Sequence, residues 1–302
     1  MIIRNTTYKI TWVNIVNPTE EDINQISEEF LLPREISHDI VTPTLKPGAK
    51  VYENAMYIVQ HFPNILKEKN KVRRQEVDFI LGDHWIISIS YSDINSILDL
   101  NKIYQLLSSD GHHTITVGGF YVEAIKTIYK KSESKLDDLD VSLDTVEKNI
   151  YNGHERKMVT ILSQKMRDII NFEHTFTMHD TILLDVASYG KTVYGPTFVR
   201  NMNNLHTSYL EIMSRVRFLK DAFREFQNTN DSLLNHKTAD AMKTLTMMSF
   251  VIFPLSLVAS IFGMNAKNIP IIGYEHDFEI IIVLMLLMSV GFFVFFKYKK
   301  WL

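Results

Sequence analysis

Two long apolar stretches stand out along this chain, because elsewhere apolar and polar positions alternate with the short periods of strands and helices. No formally charged residue occurs over the 23 positions from Thr244 to Ala266 or over the 17 positions from Ile280 to Phe296. About 20 apolar residues in a helix cross a hydrocarbon core of about 30 Å. The pattern therefore predicts two membrane spans, at about 243–264 and 279–298. The alternative is a pair of buried helices in a soluble core, which the second stretch disfavours because it is apolar on every face.

The first 120 residues instead show the alternation and the β-branched and aromatic enrichment of strands. Strand-like runs occupy residues 1–13, 52–62, 76–83 and 84–91. Gly82 and Asp83 separate the last two runs and predict the turn of a β-hairpin. Helices are predicted over 19–30 and 93–107, and the first begins with Thr19 and Asp22 at the spacing of a capping box. This part is therefore predicted to be a mixed α/β domain.

From about residue 121 long helical periods replace the strand pattern. Apolar residues recur at alternating steps of three and four, the a/d spacing of a coiled coil, at Leu136, Leu139, Leu143, Val146 and Ile150. A second such seam comprises Leu205, Tyr209, Ile212, Val216, Leu219, Phe223 and Phe226. Breaks at 152–155 and 189–196 leave one helix predicted over 155–189. Since neither proline nor glycine occurs between Pro196 and Pro254, one very long helix is expected to continue into the first span.

These patterns predict an α+β chain with three parts, which are a cytoplasmic α/β domain (1–120), a helical stalk (121–240) and a transmembrane domain (241–302). The loop between the spans is acidic and the C-terminal flank is basic, with Glu275, Asp277 and Glu279 against Lys267 in the loop and Lys297, Lys299 and Lys300 in the flank. Cytoplasmic flanks are enriched in Lys and Arg. Both termini are therefore predicted to be cytoplasmic, with a multi-pass location in the cell (plasma) membrane.

Composition excludes several classes of function. Among 302 residues there is no cysteine, so disulfides, thiolate metal sites and cysteine nucleophiles are absent. A formal net charge of −3 gives no basic excess for nucleic acid. No zinc-protease, serine-hydrolase, phosphate-loop or dinucleotide motif is present, which argues against an enzyme and against a cofactor. The acidic residues between the seam positions of the first long helix are interpreted as a solvated face rather than a metal site.

One face of the first predicted span is small and hydroxylated, interrupted by a single aromatic ring. Steps of three and four connect its members, which are Met242, Leu245, Ser249, Phe253, Ser256, Ser260 and Gly263. Such a face can line a pore. Because two spans cannot enclose a pore, several copies of the chain would have to surround one axis. Close packing of helices is the alternative, since small residues let membrane helices approach; Phe253 in particular could fill space beside Pro254.

The first span closes on Gly263, Met264 and Asn265. With two C-terminal spans, a short outer loop and a basic end, this tripeptide resembles the signature of the CorA family of divalent-metal transporters. The resemblance extends over essentially the whole chain and is specific in about the last 60 residues. It implies a funnel-shaped homopentamer in the bilayer that carries Mg²⁺ as its main substrate, with Co²⁺ and Ni²⁺ in many members and Zn²⁺ in a related branch.

The resemblance also implies a selectivity filter at Gly263, Met264 and Asn265. Mg²⁺ gives up its water reluctantly, so neutral amide oxygens from several copies of Asn265 could accept hydrogen bonds from the hydrated ion. Members of the family are gated by intracellular metal held between cytoplasmic domains. The usual carboxylates are not evident here, and Asp93 and Asp99 are the candidates for a regulatory site. Glu275, Asp277 and Glu279 are candidates for attracting cations to the outer mouth.

Two other functions remain open. A Zn²⁺ transporter of the same architecture could use histidines, of which His112, His113, His174 and His179 are spaced poorly for a single site; ordinary surface histidines are the simpler interpretation. The other alternative is a sensor or enzyme anchored by two spans, for which the chain carries no motif.

Overall fold

The computed structural model describes residues 2–6, 10–44, 46–66, 71–91, 100–109, 116–265 and 270–299. In chain order the first elements are β1 (Ile2–Thr6), β2 (Thr11–Val16), α1 (Glu20–Glu29), α2 (Arg34–Asp39), β3 (Gly48–Val51), β4 (Met56–Leu66), β5 (Lys71–Leu81) and β6 (Trp85–Ser90). They are followed by α3 (Leu100–Ser109), α4 (Val117–Tyr151), α5 (Glu155–Phe176), α6 (His179–Val193), α7 (Pro196–Phe262) and α8 (Asp277–Tyr298). The α+β class predicted from the sequence is confirmed.

The strands form one mixed sheet in the order β1-β2-β6-β5-β4-β3. β2 and β6 are parallel, and the other neighbours are antiparallel. The hairpin predicted at Gly82 is confirmed, because the N–H of Gly82 donates to the carbonyl of Trp85 at 2.9 Å between β5 and β6. The single strand predicted over residues 1–13 is wrong, since β1 and β2 pair with each other. The alternating pattern runs through both strands, and so it does not reveal the reversal.

Helices cover both faces of the sheet. On one face, Val13 and Ile80 belong to a buried apolar cluster with Ile26 of α1 and Ile36 of α2. The opposite face carries large aromatic rings, and the buried ring of Trp12 lies 5.1 Å from that of Phe120 in α4. Because successive strand residues point to opposite faces, a central strand covered on both sides is apolar at nearly every position.

The start of α1 follows the predicted capping box. The Oγ1 of Thr19 accepts a hydrogen bond from the N–H of Asp22 at 3.2 Å, and the N–H of Thr19 donates to the carboxylate of Asp22 at 3.1 Å. The helix predicted over 93–107 is confirmed in its second half by α3, and residues 92–99 lie outside the described part of the chain.

The long helices bury their seams as the heptad spacing predicted. In α4 the buried positions include Leu136, Leu139, Val146 and Ile150, and in α7 they include Leu205, Ile212, Val216 and Phe223. The seams therefore belong to the packed core of the chain. Just after α4, Gly153 has a φ of 84°, a conformation that glycine adopts without steric cost.

The single helix predicted over 155–189 is wrong, because α5 ends at Phe176 and α6 begins at His179. His179 is fully buried, and its Nε2 donates to the carbonyl of His61 in β4 at 2.8 Å. Its Nδ1 must then accept from the hydroxyl of Tyr129, also at 2.8 Å. Burial lowers the pKa of His179 to about 4. His179 is therefore a neutral core histidine that ties the start of α6 to the sheet, and not the surface residue expected.

The chain forms two compact units, Met1–Asn228 and Thr229–Leu302. The first contains the sheet, α1–α6 and the first part of α7, and the second contains the rest of α7 and α8. The very long helix expected from Pro196 onward is confirmed as α7. Both α7 and α8 are long and apolar enough to cross a membrane. The division at residue 120 stays a prediction.

Candidate functional site

The tripeptide that closes the first span lies directly after α7. The N–H of Gly263 still donates to the carbonyl of Ala259 at 2.9 Å, and that of Met264 donates to Ile261 at 3.3 Å. Gly263 does not have a positive φ, so it ends the helix without a left-handed turn. A Cβ at this position would lie 3.1 Å from the carbonyl oxygen of Ala259, which explains why a small residue suits the tightened last turn. Met264 and Asn265 are exposed.

The six predicted pore-lining positions lie on one face of α7, and Gly263 continues that face just after the helix ends. At 100° per residue they fall within an arc of about 80°. In the single chain Met242, Leu245 and Phe253 are 64%, 63% and 72% exposed, respectively. Ser256 and Ser260 are exposed as well, whereas Ser249 is half-buried and donates its hydroxyl to the carbonyl of Leu245 at 3.0 Å. The exposed apolar residues of this face are covered by lipid or by another chain.

The three acidic residues before and within the first turn of α8 differ in their surroundings. The carboxylate of Asp277 accepts hydrogen bonds from the N–H groups of Gly273 at 3.1 Å and Phe278 at 2.7 Å. This carboxylate therefore helps to shape the start of the helix, where negative charge is favourable. Glu279 lies 3.8 Å from the ring of His276, and Glu275 is exposed.

The regulatory candidates Asp93 and Asp99 lie outside the described residues, as do His112 and His113. Within the described ranges no group of three or more His, Asp or Glu side chains could hold a metal ion. His174 is exposed, whereas both ring nitrogens of His179 are engaged in the core. The pair is therefore not a zinc site in this chain.

A buried polar cluster in the α/β part was missed by the sequence analysis. Asp78 of β5 is fully buried, and its Oδ2 lies 2.9 Å from the hydroxyl of Tyr57 and 2.7 Å from that of Tyr91. Its Oδ1 has no hydrogen-bond partner among the described residues. Burial, together with the charge of Glu76, raises the pKa of Asp78 to about 8. The signal in the sequence was the pair of acidic residues at alternate positions, with Asp78 between the apolar Val77 and Phe79 in the apolar end of β5.

The same cluster holds the segment between α2 and β3. The N–H of Thr44 donates to the carboxylate of Glu76 at 2.8 Å, and the Nε2 of His61 lies 3.1 Å from the carbonyl of Thr44 and 3.2 Å from that carboxylate. Tyr91 also reaches the carbonyl of Ile40 at 3.2 Å. Ionisable groups from β4, from β5 and from the residue that follows β6 thus fix the path of residues 40–44.

Comparison with known protein families extends this description to the whole chain. The profile of the CorA-like Mg²⁺ transporter protein family matches residues 8–299. The chain belongs to the CorA-like family. This family consists of membrane transporters of divalent cations rather than enzymes.

CorA-like relatives cover nearly all of the chain at low identity. The cobalt/magnesium transport protein CorA of Thermotoga maritima is 20% identical over 97% of this chain and 83% of its own length. The magnesium transport protein CorA of Helicobacter pylori is 20% identical over 97% of this chain and 91% of its own. The complete CorA structure from Methanocaldococcus jannaschii superposes with a TM-score of 0.85 at 17% identity, covering 99% of this chain and 94% of that one. The CorA fold is therefore present from end to end.

Proposed function

We propose that this chain assembles as a homopentameric channel for the uptake of divalent cations, with Mg²⁺ as the main cargo and Co²⁺ and Ni²⁺ as further substrates. The observation that carries the proposal is the position of Asn265, which is exposed just beyond the end of α7, a helix without charged residues from Thr244 onward, in a CorA-like chain. Relatives from T. maritima and H. pylori are named as cobalt/magnesium and magnesium transport proteins.

Selection rests on a ring of Asn265 amides around the axis. Mg²⁺ demands octahedral coordination and dehydrates reluctantly, and so it enters with its waters attached. Amide oxygens accept hydrogen bonds from those waters and hold the dication less strongly than a ring of carboxylates would. Conduction requires binding that is favourable but weak. Because Gly263 has no side chain, it takes up little space at the filter. Met264 packs behind the ring of Asn265 amides.

Below the filter, the hydroxyls of Ser260, Ser256 and Ser249 provide weak polar contacts, and rings of Phe253 form an apolar collar. The hydroxyl proton of Ser249 is used within its helix, but its oxygen lone pairs still accept a hydrogen bond from a hydrated ion. Apolar constrictions lose water readily and then oppose ions without a charged gate. The collar is therefore the closed gate of the channel.

Transport is passive in this proposal. A dication that moves inward through 100 mV gains about 4.6 kcal/mol, twice the value for one charge. The acidic loop faces the outside of the plasma membrane, where Glu275, Asp277 and Glu279 raise the local cation concentration, and both termini are cytoplasmic. Intracellular Mg²⁺ closes the channel by binding between cytoplasmic domains, with Asp93 and Asp99 as the proposed ligands.

The decisive experiment measures Mg²⁺ uptake into liposomes that contain only this protein and a Mg²⁺-sensitive dye. Asn265→Ala is expected to assemble normally and to lower flux by at least about tenfold, because a hydrogen bond to a charged group contributes about 1.5–3 kcal/mol. Ile261→Leu is the matched control, since it changes an exposed side chain close to the filter that lies off the predicted pore face, and it should retain flux. Wild-type flux through assembled Asn265→Ala protein would contradict the proposed filter.

A further inference from the structure

An apolar groove lies within the second unit, between α7 and the last turns of α8. Its volume is about 390 Å³, and its lining consists of Phe250, Met288, Gly291, Phe292, Phe295 and Phe296. Among the described residues no charged or hydrogen-bonding side chain contributes to this lining. An apolar cavity of only about 150 Å³ already stays dry and takes up a molecule such as benzene. The groove is therefore large enough for a length of hydrocarbon chain.

The groove is open because of one glycine. A Cβ built on Gly291 would meet no atom of the described residues within 4 Å, so the missing side chain leaves an open notch. The rings of Phe292, Phe295 and Phe296 border this notch on α8. A neighbouring helix is about 10 Å wide and needs small residues over several turns for close approach. The space at a single glycine among aromatic rings therefore fits a ligand that is narrower than a helix.

Positive charge lies at one end of the groove. Lys299 is exposed and follows three residues after Phe296, which is the last lining residue along α8. At 100° per residue Lys299 continues the face that carries the lining residues, whereas Lys297 lies on the opposite face. From Gly291 to Lys299 the helix rises by about 12 Å. A phospholipid offers the matching arrangement, with a negative headgroup at the membrane surface and an acyl chain that descends beside the helix. Each lysine near an anionic membrane surface strengthens such binding.

We propose that this groove binds one acyl chain of an anionic phospholipid, whose phosphate group is held by Lys299. The site would be specific for negatively charged lipid through Lys299 and for a flexible hydrocarbon chain through the notch at Gly291. The inference does not depend on which ion the channel carries, and it rests only on the placement of α7 and α8 in a bilayer.

The test counts lipids retained by the full-length protein. The oligomer is reconstituted with equal amounts of phosphatidylglycerol and phosphatidylcholine, extracted in mild detergent and examined by native mass spectrometry. Wild type should retain phosphatidylglycerol preferentially. Gly291→Leu should lower that retention by about tenfold or more, since displacing even two methylene groups from an apolar site has this effect. Gly291→Ala, which fills less of the notch, should give an intermediate loss.

Further variants separate the chain from the headgroup. Val290→Leu adds bulk on the opposite face of α8 and should retain lipid as wild type does. Lys299→Gln should reduce the preference for phosphatidylglycerol over phosphatidylcholine by about fivefold, and Lys299→Arg should preserve it. Lys297→Gln, on the opposite face of α8, is the matched control and should leave that preference unchanged.

Three results would overturn the proposal. The first is wild-type retention of phosphatidylglycerol by Gly291→Leu. The second is dissociation of the oligomer by Gly291→Leu but not by Val290→Leu, which would assign the groove to a second copy of this chain. The third is equal retention of both lipids by the wild type, which would remove the role of Lys299. An unchanged circular dichroism spectrum of each variant verifies that the helices are intact.

Discussion

The substitution Asp78→Asn should change how the stability of the α/β part depends on pH. Tyr91 has one hydroxyl proton, yet its oxygen lies 2.7 Å from Asp78 Oδ2 and 3.2 Å from the carbonyl of Ile40. When Asp78 is protonated, its own proton supplies the second hydrogen bond. Asparagine has nearly the same shape, but its amide oxygen cannot both accept and donate as the protonated carboxyl does. If that oxygen faces the two tyrosines, the NH2 group is buried at the Oδ1 position, where no partner lies among the described residues. We therefore expect a loss of about 1–3 kcal/mol for Asp78→Asn at pH 5.

The magnitude of the pH dependence follows from the raised pKa. Asp78 has a pKa of about 8 in the folded chain, against about 3.9 in an unfolded one. Below pH 4 Asp78 is protonated in both the folded and the unfolded chain, and its full contribution to the free energy of unfolding is present. Between pH 4 and 8 the unfolded chain releases a proton that the folded chain keeps, so the free energy of unfolding falls by about 1.4 kcal/mol per pH unit. Above pH 8 this contribution is lost, and the slope from Asp78 ends.

From pH 5 to pH 8 this contribution amounts to about 4 kcal/mol. Because the introduced asparagine does not titrate, the variant should become more stable than the wild type near pH 8, with a crossing at about pH 6–7.5. For a unit of about 200 residues 1 kcal/mol corresponds to about 2–4 °C in Tm. The difference in Tm between the two proteins should therefore change by about 10 °C over this range.

The assay is thermal unfolding of the full-length protein in detergent, followed by circular dichroism at pH 5, 6, 7 and 8 and constant ionic strength. Glu76, Asp39 and His61 also face this cluster and are the same in both proteins. Asp144→Asn, which removes an exposed carboxylate in α4, is the control for the loss of a surface charge and should not reproduce the dependence seen with Asp78→Asn. A difference between wild type and Asp78→Asn that stays constant within about 1 °C would refute the reasoning.

Two further predictions concern packing and gating. Gly190→Ala would place a Cβ 2.0 Å from the buried ring of Phe198, and we expect a loss of about 1–3 kcal/mol, measured as a lower Tm, whereas Gly48→Ala has open space and should be neutral. Phe253→Ser should raise Mg²⁺ flux at high internal Mg²⁺ by about tenfold or more if the rings form the collar; a leak-free but less stable oligomer would identify Phe253 as a packing residue.

The elements that the sequence predicted well are those defined by local patterns. The capping box at Thr19, the hairpin at Gly82 and the three-four seam of α7 each depend on residues within a few positions of one another. The break between α5 and α6 depends instead on the bond from His179 to the carbonyl of His61, which is 118 residues away. Likewise, Asp78 alternates with apolar neighbours as a residue facing water would. It is buried because helices cover the sheet.

The candidate site illustrates the same distinction within a single helix. Along α7 the three-four spacing first marks residues such as Ile212 and Val216, which are fully buried by other parts of the same chain. After residue 240 the same spacing marks Leu245 and Phe253, which are 63% and 72% exposed. A helical period predicts which residues share a face, but the identity of the covering group depends on what surrounds the chain. For the second set that group is lipid or another copy, and so the tests of Asn265 and Phe253 require the assembled protein in a membrane.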